Sequence, residues 1–230
     1  MRNATINLCW ILHKDLVTEL RSPGAWLAMV LTGIVVAVIF SVQSDLSAAS
    51  KQQMVGGSLW MAVFLAGIPM MDRAFAAERE NGCWQGLKLM PIAPSAIYLA
   101  KIAANVVALT LLECLLIPLF LVLSNIKLAS GAWLLAAIAM LTNIALSAVG
   151  AAVGSLGLGR RGGGAMVVLV LPLAIPVLMA AAECTRLVVG GHVGGGNVNE
   201  TFWRWIQLLA AFDAVFVTAG VVLFAVAIEE

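Results

Sequence analysis

Six apolar runs, at residues 24–42, 54–71, 102–124, 132–158, 165–182 and 205–228, constrain this chain more than any other feature. Each is close to the ~20 residues that an α-helix needs to cross a ~30 Å hydrocarbon core. The runs are continuous, whereas a barrel strand would alternate apolar and polar at every second residue. Only 11% of the residues are charged, against roughly a quarter in a soluble domain. A chain so poor in charge cannot cover itself with a solvated surface, and its outer face must meet lipid. The expected fold is an all-α polytopic membrane protein with six transmembrane helices. The overlong fourth run is expected to tilt or to extend into the cytoplasm.

Lys and Arg set the orientation. With the N-terminus inside, Arg2, Lys14, Arg21, Arg73, Arg79, Lys88, Lys101, Arg160 and Arg161 fall on the cytoplasmic side, and Lys51, Lys127, Arg186 and Arg204 fall outside. This is the positive-inside asymmetry, and an even number of spans places the C-terminal Glu229 and Glu230 inside as well. Residues 1–21 contain His13, Lys14, Asp15, Glu19 and Arg21 with no unbroken apolar core, so no signal peptide is expected. Residues 5–22 instead form an amphipathic pattern. Ile6, Cys9, Trp10, Leu16, Val17 and Leu20 share one face opposite Asn7, Lys14, Asp15, Thr18 and Glu19, which predicts an N-terminal interfacial helix. The four cysteines (Cys9, Cys83, Cys114, Cys184) are scattered and imply neither a disulfide framework nor a metal site. A net charge of +1 offers no basis for nucleic-acid binding.

The most polar interruption is residues 72–101, between the second and third runs. It holds Asp72, Arg73, Glu78, Arg79, Glu80 and Lys88 together with the apolar Phe75, Trp84, Leu87 and Met90. Asn81-Gly82 breaks a first helical stretch, and Pro91 and Pro94 end a second. The pattern predicts two short helices along the cytoplasmic membrane surface. Charges that merely enforce topology would need no such mixture of aromatic and ionic side chains, which suits a docking surface.

Glu78-Arg79-Glu80-Asn81-Gly82, then Leu87-Lys88-Leu89-Met90-Pro91, then Tyr98-Leu99-Ala100-Lys101 resembles the coupling region of ABC-type export permeases. A second stretch, Gly159-Arg160-Arg161-Gly162-Gly163 followed by Leu171-Pro172-Leu173-Ala174-Ile175-Pro176-Val177-Leu178, is similar to the fifth-helix signature of the CcmB family, the haem exporter protein B of cytochrome c maturation. The resemblance covers nearly the whole chain. It implies one permease domain over 1–230, with a cytoplasmic coupling region at 72–101 and an external loop at 183–203. It also implies that Glu78, Arg79, Gly82, Leu87 and Pro91 engage a CcmA-like ATPase subunit that binds the ATP. The family pattern often has Ser or Thr after the glycine and an acidic residue shortly beyond, where this chain has Cys83, Trp84 and Gln85. A CcmC-like haem-handling protein, CcmD and the haem chaperone CcmE complete the implied partners. A homodimer in a bacterial inner membrane is the implied assembly, with haem as the transported or delivered ligand.

Several other constellations have competing explanations. Gly159 to Gly164 is glycine-rich and basic but lacks the phosphate-loop spacing. It is a tight cytoplasmic turn, or Arg160 and Arg161 form a second contact with the motor. Pro172 and Pro176 should bend the fifth span, because each lacks a backbone donor and crowds the preceding turn. Glu113 lies near the middle of the third span, where an acidic residue costs on the order of 3 kcal/mol, a cost the surrounding leucines offset at about 0.3–0.6 kcal/mol each. It is a functional candidate or is held by a structural hydrogen bond to Asn105 or Asn143. Asp213 poses the same question in the sixth span. Ser147, Gly150, Ala151, Gly154 and Ser155 suggest close helix packing. His13 and His192 have no haem-attachment motif beside them, and Glu183 and Arg186 are spaced for an ion pair.

The chain shows no nucleophile–base pair and no metal cluster, so no catalytic or metal-binding residue is expected. The implied function is the permease subunit of an ATP-driven haem export or delivery complex. An export permease for a lipid, drug or polysaccharide is the nearest alternative. An intramembrane enzyme using Glu113 and Asp213 as acid and base, or a purely structural scaffold, are more distant ones.

Overall fold

In the computed structural model, residues 23–42, 48–73, 93–124, 131–156, 164–190 and 200–229 are described. But for the cap residue Ser124, each apolar run falls in an α-helix over its described residues: α1 (Pro23–Val42), α2 (Ala48–Arg73), α3 (Pro94–Leu123), α4 (Ala132–Leu156), α5 (Gly164–Val189) and α6 (Glu200–Glu229). Helices α2 to α6 each contain an apolar stretch long enough to cross a membrane, and α1 has a shorter one, Trp26–Ser41. The chain is a multi-pass membrane protein.

Helices α2, α3, α5 and α6 extend past the apolar runs, and the reasons are local. Ala93 is extended (φ −61°, ψ 133°) and Pro94 opens α3. A proline in the first turn loses no helical hydrogen bond, because that N–H would be unpaired anyway. Pro94 therefore starts a helix where the sequence suggested that it ends one, and Tyr98 and Lys101 belong to α3, where both are buried. Helix α5 continues to Val189 and carries a Glu183–Arg186 ion pair of 2.8 Å. Helix α6 begins at Glu200, so both ends of the expected 183–203 loop are helical. Pro172 and Pro176 lie inside α5, which runs as one helix through them.

Helix α4 is the hub, touching α2, α3, α5 and α6, while α1 packs on α2 and α3. Its small residues explain the position: Ser147, Gly150, Ala151, Gly154 and Ser155 are all buried, which lets neighbouring backbones approach closely. Helix α1 buries Met29, Gly33, Ala37 and Phe40 along one stripe. Its Phe40 ring stacks on Phe120 of α3, with centroids 6.1 Å apart. The opposite stripe, Leu27, Leu31, Val35 and Val38, is exposed, as a lipid-facing surface should be. Helix α6 touches the bundle along a narrow seam of Phe202, Leu209, Asp213, Gly220 and Phe224.

Candidate functional site: polar side chains around the central helix

The few polar side chains within the spans gather on α4 and the helices beside it. Glu113 of α3 is 2% exposed, and Thr110 sits one turn before it, on the same face. Asn143 of α4 reaches both: its Nδ2 donates to Glu113 Oε2 at 2.8 Å and to Thr110 Oγ1 at 3.2 Å. Thr110 in turn donates to the Val106 carbonyl at 2.7 Å. The Thr110 and Asn143 donors are thus engaged, while two oxygens, Glu113 Oε1 and Asn143 Oδ1, have no partner among the described residues. Of the two asparagines that the sequence offered to Glu113, it is Asn143 that holds it. Asn105 lies eight residues earlier on α3, about 12 Å along its axis.

Beside Glu113 a groove of about 370 Å³ runs between α3 and α4, lined by Thr110, Glu113, Cys114, Pro118, Ala136 and Met140 among others. Cys114 is exposed in it. Pro118 has no N–H to offer the carbonyl of Cys114, its usual partner one turn back.

Asp213 is also buried, at 8% exposure, in the middle of the α6 seam. It lies by the backbone of Ala145 in α4, and both of its carboxylate oxygens lack a hydrogen-bond partner among the described residues. Asn143 and Ala145 are two residues apart, about 200° around a helix. Glu113 and Asp213 therefore approach α4 from different sides, and the structure does not bring them together as an acid–base pair. Among the described residues no cluster of His, Cys, Asp or Glu could hold a metal ion.

Two further polar contacts, which the sequence did not single out, tie helices across the bundle. The Tyr98 hydroxyl donates to the Ala148 carbonyl at 2.8 Å, joining α3 to α4. The Tyr98 ring meets Phe224 of α6 with centroids 5.8 Å apart. The Trp60 indole donates to Thr185 Oγ1 at 2.8 Å, joining α2 to α5. Tyr98 is the chain's only tyrosine, a signal that could have marked it. Glu78, Arg79, Gly82, Leu87, Pro91, Arg160, Arg161 and the interfacial helix at 5–22 lie outside the described residues.

A family model described as CcmB protein matches residues 6–230. The chain belongs to the CcmB family. A protein named heme exporter protein B from Rhodobacter capsulatus is 32% identical over 181 residues, which is 76% of this chain and 81% of the relative. Its namesake from Bradyrhizobium diazoefficiens is 31% identical over 192 residues, 81% of this chain and 84% of the relative. The Pseudomonas aeruginosa namesake is 29% identical over 195 residues, 84% and 82% of the two chains. The CcmB match extends across the 72–101 insert and the 159–178 stretch as well as all six helices.

Proposed function

We propose that this chain is the permease subunit of an ATP-driven complex that exports or delivers haem for cytochrome c maturation. The observation that carries the proposal is the CcmB match over residues 6–230 of a multi-pass helical chain. The relatives' shared name, heme exporter protein B, supplies the substrate class. ATP is bound and hydrolysed by a partner subunit related to CcmA, and this chain is the non-catalytic part. It works as a homodimer in a bacterial inner membrane, next to CcmC-, CcmD- and CcmE-like partners. Helix α1 serves as the sixth span, so that both termini and the 74–92 connection face the cytoplasm.

In this scheme Glu78, Arg79, Gly82, Leu87 and Pro91 seat the ATPase, with Arg160 and Arg161 as a second contact. The connection joins two helices whose adjoining turns are well anchored. Met70 and Met71 are buried at the end of α2, and Ile97 and Tyr98 at the start of α3. A displacement of the connection is therefore transmitted to the bundle instead of being absorbed at its edge. The test is co-purification of the ATPase with wild-type protein and with Glu78, Gly82 and Leu87 replaced together by alanine. The expected outcome is loss of the ATPase and of c-type cytochrome assembly, with membrane insertion unchanged. Retention of both by the triple variant would overturn the coupling role of these residues. An ATPase partner whose loss leaves c-type cytochromes intact would point to a different cargo.

A further inference from the structure

The groove between α3 and α4 combines features that export of haem does not explain. Its size, about 370 Å³, is within the ordinary range for small-molecule sites, and such sites are mostly apolar with a few placed polar groups. Ala136, Met140 and Cys114 are exposed along it, so it opens on the outside of the bundle, where this chain meets lipid. At its floor sits Glu113, 2% exposed, with Oε1 lacking a donor. An unpartnered acceptor at this depth in a membrane is costly.

The polarity of the site restricts what can occupy it. Thr110 spends its proton on Val106, and Asn143 spends its amide donors on Glu113 and Thr110. Of the groove's lining, that leaves Glu113 Oε1 without a partner. The Cys114 carbonyl also lacks the usual donor, which Pro118 cannot supply. An occupant must therefore offer a group that can bond a carboxyl oxygen whether that carboxyl is ionised or neutral, and a hydroxyl, donor and acceptor at once, does so. The occupant must also arrive through the bilayer, which favours a neutral polar group on an apolar body over a phosphate-bearing headgroup. The carboxyl plane of a glutamate turns readily about its last torsion, so Oε1 can meet a donor from the groove.

The geometry points to a lateral binding site between α3 and α4 for a lipid-soluble alcohol or phenol, whose hydroxyl hydrogen-bonds the Glu113 carboxyl and whose apolar body lies along Cys114, Pro118, Ala136 and Met140. The site is independent of the haem cargo, and of the ATPase contact in the 72–101 region.

Photo-crosslinking in lipid nanodiscs tests it on the full chain. One probe is a diazirine-tagged alkylphenol, and the other is the matching alkylbenzene without the hydroxyl. Crosslinks are mapped by mass spectrometry to residues 110–118 and 132–140. The phenol should label these segments about threefold to tenfold more than the alkylbenzene, the worth of one hydrogen bond. Unlabelled nonylphenol should compete. In Glu113→Leu the preference should vanish while both probes still label the lipid-facing side of α6. Equal labelling by the two probes in wild-type protein would overturn the proposal without any variant, since it would mean an unselective lipid groove. So would an alkylammonium probe that outcompetes the phenol, or a groove that neither probe reaches because another chain covers it.

Discussion

At the scale of single residues, the tightest place in the bundle is where Tyr98 meets Gly220. A β-carbon on Gly220 would fall on the Tyr98 hydroxyl and on the ring carbon that bears it. Tyr98 is fully buried and cannot swing away. Gly220→Ala should therefore cost about 1–3 kcal/mol through overpacking. Tyr98→Phe keeps the ring against Phe224 and loses only the bond to Ala148, about 1 kcal/mol. The two are in direct contact, so they should not add. The double variant should recover part of the Gly220→Ala loss, because one of the two colliding atoms is gone. Thermal unfolding followed by tryptophan fluorescence in nanodiscs checks the cycle. A similar asymmetry holds at Glu113. Asn143→Leu removes the donor to Oε2 and leaves the carboxyl unpartnered, which should cost about 1–3 kcal/mol. Glu113→Leu with Asn143→Leu removes both partners and should be markedly milder in the same assay.

At the scale of helices, the pair α2 and α5 depends on a contact that no side chain can relieve. A β-carbon on Gly56 would strike the backbone carbonyl of Ala182, while the nearest atoms to one on Gly150 of α4 would be Cβ, Cγ and the sulfur of Met71, a side chain and not a backbone. An unbranched methionine can yield in part by changing its rotamer, whereas a helix backbone does not. Gly56→Ala should therefore force α2 from α5, weaken the Trp60–Thr185 bond and lower the unfolding temperature more than Gly150→Ala does. Equal shifts would show that α2 and α5 can separate without penalty. The contrast also marks the limit of the sequence. The small residues of α4 are legible as a packing stripe because they repeat four apart. Gly56 stands beside an equally small Gly57, which faces open space. Which of the two matters depends on where α5 lies, and no local pattern encodes that. The helices themselves were legible because their apolar runs are long. Their ends were not, since Pro94 can open a helix as well as close one.

At the scale of the whole molecule, the count of spans decides which parts of the chain share a compartment. Glu113 could be recognised as costly from its apolar surroundings alone. Its pairing with Asn143, thirty residues on, and its separation from Asp213 required the bundle. Sidedness follows from parity in the same way. Between the 74–92 connection and the C-terminal end of α6 lie four helices, α3 to α6, each able to span. Those two regions therefore share a face whatever α1 does. Residues 1–22 share it only if α1 spans together with α2. The 20 residues of α1 reach about 30 Å, the thickness of the hydrocarbon core, so α1 should cross. A cysteine placed on the polar face of the expected N-terminal helix, Thr18→Cys, and Cys83 then face the same compartment, and a membrane-impermeant maleimide should label both in inverted vesicles and neither in right-side-out ones. Labelling of Thr18→Cys and Cys83 from opposite sides would mean that α1 lies along the membrane surface. Labelling of Cys83 from outside alone would separate the 72–101 region from any cytoplasmic ATPase.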